Sequence, residues 1–114
     1  MVYVALEAAE ILAKEGIEIE VVDLRTVMPL DRDAIREAVE KTNRVIVLHE
    51  DTKTGGIGGE VAAVINEECF DALDSPIVRI ASADTPIPFS PPLEEAVLPK
   101  VADVVREARR LRSY

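Results

Sequence analysis

The residues best suited to chemistry lie together in one stretch, residues 44–60, whose sequence is RVIVLHEDTKTGGIGGE. This stretch holds the only histidine of the chain, His49, and four of the five glycines. An imidazole exchanges protons near neutral pH, and Glu50 beside it could assist in acid–base catalysis. His49 is therefore the first candidate for a catalytic residue.

A structural role for His49 is the alternative. Adjacent residues of a strand point to opposite faces, which would separate His49 from Glu50. The sequence also offers no second histidine and no serine or cysteine nucleophile at a recognisable spacing. We therefore favour a hydrogen bond from His49 that orders the loop at the strand end over direct contact with a substrate.

The glycines Gly56, Gly58 and Gly59 resemble a phosphate-binding turn, because glycine lets the backbone approach an anion at the N-terminus of a helix. The turn lacks the Lys-Ser/Thr pair of a P-loop and the full GxGxxG spacing. Glu60 at the start of the helix would also repel an anion. A tight strand-to-helix turn or a subunit contact explains the glycines better, and anion binding stays the alternative.

The elements that position these residues follow from hydrophobic periodicity. The continuous apolar run at 45–48 predicts a buried parallel strand, with Val47 fully buried. Asp31 is the expected N-cap of one helix, and Gly16 the expected stop of another. Residues 84–92 hold four prolines and are predicted to be irregular. In full, we predict helices over 3–15, 32–42, 57–71 and 99–112, and strands over 17–24, 44–49 and 77–82.

Length and composition limit the possible functions. With 114 residues the chain forms a single domain, residues 1–114. The net charge of −9 argues against nucleic acid as a partner, since its binders need a basic surface. No apolar run reaches the roughly 20 residues of a membrane span, so we expect no membrane partner.

The use of cysteine and of amide residues gives two further expectations. The single cysteine, Cys69, excludes an internal disulfide and a cysteine-rich metal site. We expect it to be a buried thiol in a cytoplasmic protein. The chain has no glutamine and many glutamates and arginines, a bias that is typical of thermophile proteins.

Strands that alternate with helices predict an α/β fold with a mostly parallel sheet. Five segments in this order carry a more specific resemblance: VVDLRTVMPLD, KTNRVIVLHE, TGGIGGE, SPIVRI and ADTPIPF. Together they are similar to the C-terminal domain of the transketolase-like β subunit of 2-oxo acid dehydrogenases. These subunits belong to the decarboxylating components of the pyruvate and branched-chain 2-oxo acid dehydrogenase complexes. The resemblance covers essentially the whole chain and implies a three-layer α/β/α fold.

The resemblance implies a parent enzyme that uses thiamine diphosphate and magnesium for oxidative decarboxylation with acyl transfer to a lipoyl group. This domain would supply assembly and docking surfaces and no cofactor ligands or metal site. The implied partners are the α subunit, a second β subunit and the basic subunit-binding domain of the lipoyl acyltransferase. Asp74 and the terminal carboxylate of Tyr114 are the positions at which that domain would dock. The alternative is a free-standing flavodoxin-like domain that binds a phosphate or nucleotide.

The resemblance also implies that the sheet is incomplete. Such domains have two strands before the helix at 3–15, and one of them lies between the strands at 17–24 and 44–49. Met1 then resembles an internal methionine, and the chain an N-terminally truncated fragment. We expect it to self-associate, because exposed strand edges pair with other chains.

Overall fold

The computed structural model describes residues 1–114. The five helices are α1 (Val2–Ala13), α2 (Arg32–Thr42), α3 (Ile57–Cys69), α4 (Pro91–Val97) and α5 (Val101–Arg112). The two strands are β1 (Ile46–Thr52) and β2 (Val78–Ser82), and a short 3₁₀ turn at Phe70–Ala72 follows α3. No helix has the length and apolar character that a membrane crossing requires.

The sheet consists of β1 and β2, which run parallel. Ile46 lies opposite Val78 and Leu48 opposite Ile80, and the register shifts between Leu48 and Thr52. The parallel ladder confirms the strands that were predicted over 44–49 and 77–82, although β1 starts two residues later and ends three residues later than predicted.

Two apolar clusters cover the two faces of the sheet. One joins α1 and α5 to β2, and its buried members are Ala8, Leu12, Val78, Ile80, Val104, Val105, Ala108 and Leu111. The other joins α2 to α3, and its buried members are Ile35, Val39, Val61, Ile65 and Cys69. Helices therefore lie on both sides of the strands, as the three-layer prediction required.

Local signals in the sequence have their expected effect. The Asp31 carboxylate accepts a hydrogen bond from the Ala34 N–H (3.0 Å) and caps α2. After α1, Gly16 adopts a φ of +75°, which glycine tolerates at a helix end. Cys69 is a free, buried thiol, and burial raises its pKa.

The prediction of a strand at 17–24 is wrong. Side-chain exposure alternates from Ile17 to Val22 as it would in a strand, but the segment belongs to no sheet. Its only backbone hydrogen bonds join Ile17 N–H to the Leu12 carbonyl and Leu24 C=O to the Thr26 N–H. A cleft of about 780 Å³ separates the segment from β1, so no neighbouring strand is within reach of its backbone.

The same cleft explains a second correction. Val47 is partly buried rather than fully buried, because it lies in the strand that borders the cleft.

The proline-rich region also differs from expectation. Residues 91–92 are not irregular, because Pro91 and Pro92 form the start of α4. The N–H groups in the first turn of a helix make no hydrogen bond within the helix, so proline, which lacks this group, is tolerated there. The helix that was predicted from residue 99 starts instead at Val101. Asp103 caps that start, since its carboxylate accepts the Lys100 N–H (3.0 Å).

Candidate functional sites

The imidazole of His49 lies directly against the first turn of α3. A Cβ atom on Gly58 would come within 2.3 Å of His49 Nε2. One on Gly56 would come within 2.3 Å of the Thr52 carbonyl oxygen and 2.6 Å of His49 Cε1. All three distances are far below van der Waals contact. Gly58 is therefore required by the ring, and Gly56 by the Thr52 carbonyl together with the ring.

Neither ring nitrogen of His49 has a hydrogen-bond partner, and both are buried. The ring thus orders the strand-end loop by packing, and the hydrogen bond predicted for this purpose is not formed. No hydroxyl, thiol or carboxylate is bonded to the imidazole. The geometry therefore shows no acid–base pair at His49.

Two polar contacts join the glycine-rich turn to the loop that follows β2. The Asp84 carboxylate accepts hydrogen bonds from the Thr54 hydroxyl (2.5 Å) and from the Thr54 N–H (2.8 Å). The hydrogen bond from the hydroxyl has the larger effect in lowering the pKa of Asp84, and the bond from the N–H lowers it further. Sequence reasoning missed this contact, although both residues follow parallel strands and such strand ends meet at one edge of a sheet.

The glycine-rich turn offers little room for a diphosphate with its magnesium ion. The His49 ring fills the space over Gly56 and Gly58, and Glu60 lies in the first turn of α3. No three side chains of His, Cys, Asp or Glu converge to hold a metal ion. These residues do not fit a diphosphate–magnesium group, and the close packing also accounts for the glycines that resembled a phosphate-binding turn.

The two residues proposed for docking are brought to the same end of the fold. Arg44 connects them: its guanidinium lies 3.8 Å from the Asp74 carboxylate and donates to the Leu111 carbonyl (3.0 Å). The same carbonyl accepts the Tyr114 N–H (3.2 Å). The Asp74 N–H in turn donates a hydrogen bond to the Asn43 carbonyl (2.8 Å).

This end of the molecule is open to solvent. The Asp74 side chain is 57% exposed and Tyr114 is 56% exposed. Arg44 is the one ion-pair partner of Asp74, so much of this exposed carboxylate stays open to solvent. Arg44 could not be identified from the sequence, because its contact with Leu111 spans 67 positions.

The cleft beside β1 is the third candidate. Its walls are largely apolar and come from residues 17–24 on one side and β1 on the other. The Val45 carbonyl accepts a hydrogen bond from the Val78 N–H (3.1 Å). Because successive residues of a parallel strand direct their N–H and C=O groups to opposite sides, those of Ile46 and Leu48 point away from β2. The cleft is therefore bordered by an unpaired strand edge and an unpaired strand-like segment.

Comparison with known proteins decides the family. The model for the transketolase C-terminal domain matches residues 1–104. The chain belongs to this family.

Relatives and one solved structure agree with the assignment. The chain is 48% identical over 110 residues to the pyruvate dehydrogenase E1 component subunit beta-1, mitochondrial, of Oryza sativa subsp. japonica. This alignment covers 96% of the chain and 29% of that protein. It is 47% identical over 114 residues to the 2-oxoisovalerate dehydrogenase subunit beta of Bacillus subtilis, covering 99% and 35%. A split gene transketolase, described as an inactive beta4 tetramer, aligns with a TM-score of 0.81 and 33% identity, covering 96% and 35%. The chain thus spans about a third of the length of these relatives.

Proposed function

We propose that the chain is the C-terminal assembly and docking domain of the β subunit of a thiamine-diphosphate-dependent 2-oxo acid dehydrogenase. The observation that carries the proposal is identity near 47% along almost the whole chain to β subunits of two such enzymes. The geometry agrees with a non-catalytic role, because His49 is packed and unpaired rather than arranged with a second reactive group. The parent enzyme would decarboxylate a 2-oxo acid and pass the acyl group to a lipoyl carrier, in a cytoplasmic setting.

The first experiment tests the assembly role. A full β subunit that contains this domain should capture its α subunit in a pull-down and decarboxylate a 2-oxo acid when thiamine diphosphate and magnesium are added. The same α subunit with a β subunit cut before this domain should lose assembly and activity together. Retention of both by the shortened subunit would contradict the proposal.

A second experiment tests where cofactor chemistry resides. Calorimetry of residues 1–114 with thiamine diphosphate and magnesium should give no binding, because the glycine-rich turn does not fit a diphosphate. Tight, magnesium-dependent binding would overturn the assignment of this domain to assembly. It would favour a free-standing phosphate-binding domain instead.

Docking of the acyltransferase's basic subunit-binding domain is proposed at Asp74 and the Tyr114 carboxylate. The support is their shared position around Arg44 and their exposure. Asp74→Asn should weaken the interaction and reduce its dependence on salt. Asp71→Asn removes an equal charge from an exposed position outside this cluster and is the matched control. Equal effects of the two variants would exclude Asp74 as a specific contact.

Self-association is proposed through the edge of β1 and the segment at 17–24. These are apolar, unpaired and adjacent to an open cleft, which is the condition under which strands recruit other chains. Light scattering should show a mass that rises with concentration. Val21→Lys, at a partly buried cleft position, should lower that mass, whereas Ile87→Lys, at an exposed apolar position outside the cleft, should not. A monomer at all concentrations would refute this part.

A further inference from the structure

The outer edge of β2 carries free backbone groups on the side of the sheet away from the cleft beside β1. The Val78 N–H donates to the Val45 carbonyl (3.1 Å), which turns the backbone of Val78 toward β1. In a parallel ladder the alternate residues, Arg79 and Ala81, then direct their N–H and C=O groups outward. No strand lies on that side, since the sheet contains only β1 and β2.

A cleft of about 640 Å³ runs along this outer edge. Its opposite wall is formed by the connection between α4 and α5 and by the first turns of α5. At one end the Ala83 N–H donates to the Val97 carbonyl (3.1 Å), which closes the edge just beyond β2. Pro76 lies at the other end. The cleft therefore bounds a short run of backbone donors and acceptors that one extended segment could pair.

Two cations of this cleft form no close ion pair. Lys53 and Arg79 both line it, and neither takes part in any of the ion pairs of the structure. The Arg79 guanidinium donates to the Lys53 carbonyl (3.1 Å), which holds the two residues together. Lys53 lies near the Asp84 carboxylate, so Arg79 is the cation of this pair without a neighbouring carboxylate.

The other charges of the cleft compensate one another. Arg106 is bonded to Asp103 (2.9 Å), and Arg110 is bonded to Glu107 (2.7 Å). All four side chains line the wall formed by α5. The uncompensated charge of the cleft is therefore positive and belongs to Arg79.

We propose that the outer edge of β2 binds an extended acidic segment of a partner protein, which adds to the sheet as a strand. The backbone of Arg79 and Ala81 would supply the ladder bonds, and alternate carboxylates of the segment would face Arg79 and Lys53. A second copy of this chain fits less well, because antiparallel pairing of two β2 edges would bring the two Arg79 side chains together. This surface is separate from the proposed docking site at Asp74 and has the opposite charge.

The test uses a short dye-labelled peptide in which glutamate alternates with valine and threonine, and a matched peptide with lysine in place of glutamate. Fluorescence anisotropy with residues 1–114 should show binding of the glutamate peptide, weakened by salt, and none of the lysine peptide. Arg79→Gln should weaken the Kd about tenfold, the loss expected for one charge-assisted contact. Lys14→Gln removes an unpaired cation outside the cleft and should leave the Kd unchanged.

A second measurement locates the peptide. In NMR spectra the amide signals of Arg79 and Ala81 should move on addition of the glutamate peptide, and those of residues 18–24 should not. Ala81→Pro removes one outward N–H without changing charge and should weaken binding, while circular dichroism verifies that the variant is folded. Equal binding of both peptides, equal effects of Arg79→Gln and Lys14→Gln, or shifts confined to residues 18–24 would each overturn the proposal. A change of oligomeric mass on Arg79→Gln, without peptide, would assign the edge to a second copy instead.

Discussion

Residues 17–24 and residues 45–52 can be compared directly, because both are rich in valine, isoleucine and leucine and both show strand-like patterns. The second segment becomes β1, bonded along β2 and covered by helices on both faces. The first packs some of its alternate side chains on the same clusters, through Ile17, Ile19 and Leu24, yet forms no ladder. Its backbone faces the cleft and solvent.

Side-chain pattern and strand formation are therefore separable. Alternating burial requires only an apolar surface on one side, and the two clusters supply it. A ladder requires a second backbone at about 4.8 Å, and the cleft between the two segments contains none. The unpaired groups of 18–24 must therefore be satisfied by water, which the exposure of the segment allows.

The largest effect is expected from matched truncations in the two segments. Ile80 is 8% exposed within the α1/α5 cluster, so Ile80→Ala should cost about 2–5 kcal/mol of unfolding free energy. Ile19 is only partly buried, so Ile19→Ala should cost about 1 kcal/mol. Urea denaturation measures both variants. Equal costs would mean that the segment at 17–24 is as well packed as the ladder.

A related pair concerns β1 itself. Val47→Ala should cost about 1–3 kcal/mol, and Val47→Asp more, because a carboxylate would lose its water beside apolar side chains. Since Val47 borders the cleft and is only partly buried, Val47→Asp should be less damaging than Ile80→Asp. The comparison is read from the expression and thermal melts of the two aspartate variants. The opposite order would show that the cleft closes over β1 in solution.

The packing at the end of β1 gives the next prediction. Gly58→Ala places a Cβ 2.3 Å from His49 Nε2 and should destabilise the fold by about 1–3 kcal/mol. Gly59→Ala is the control, because its nearest neighbour is 3.7 Å away and alanine favours a helix by up to about 1 kcal/mol. In a His49→Ala background the cost of Gly58→Ala should largely vanish, as a double-mutant cycle would reveal. A cost that persists without the imidazole would place its cause elsewhere.

The smallest effect is the pH dependence of the contact between the turn and the loop after β2. The hydrogen bond from the Thr54 hydroxyl is the largest cause of the lowered pKa of Asp84. This contact therefore stabilises the fold fully at pH values above the unfolded pKa of about 3.9. The stabilisation is lost as the pH falls through the lower folded pKa. Asp84→Asn should therefore lower the melting temperature near neutral pH and flatten its decline below pH about 4. Asp71→Asn, at an exposed residue, should leave the profile unchanged; identical profiles for both variants would contradict the assignment.

Local signals allowed much of the fold to be predicted. Asp31 caps α2, and Gly16 ends α1, because each acts on backbone groups a few residues away. The helices α3 and α5 followed from hydrophobic periodicity in the same way. Whether residues 17–24 form a strand depends instead on a neighbour in space, which composition does not specify.

The sites were harder to predict for a related reason. The histidine and the glycines were singled out together, but the reason for their proximity is the packing of an imidazole on α3, a contact that residue types alone do not reveal. Arg44 joins Asp74 to the end of α5 through a contact across 67 positions. Such contacts depend on the complete arrangement of the helices around the sheet.

Hydrogen–deuterium exchange of single amides is the most direct test of whether residues 17–24 lack the strand partner that β1 and β2 provide for each other. At the lowest protein concentration that can be measured, the N–H groups of residues 18–24 should exchange at nearly the rate of an unfolded chain. The N–H groups of Val78 and Ile80, which point into the ladder, should be protected by most of the global stability. Protection of residues 18–24 that matches β2 and does not change with concentration would contradict the account, since it would mean that this segment already has a strand partner within the chain.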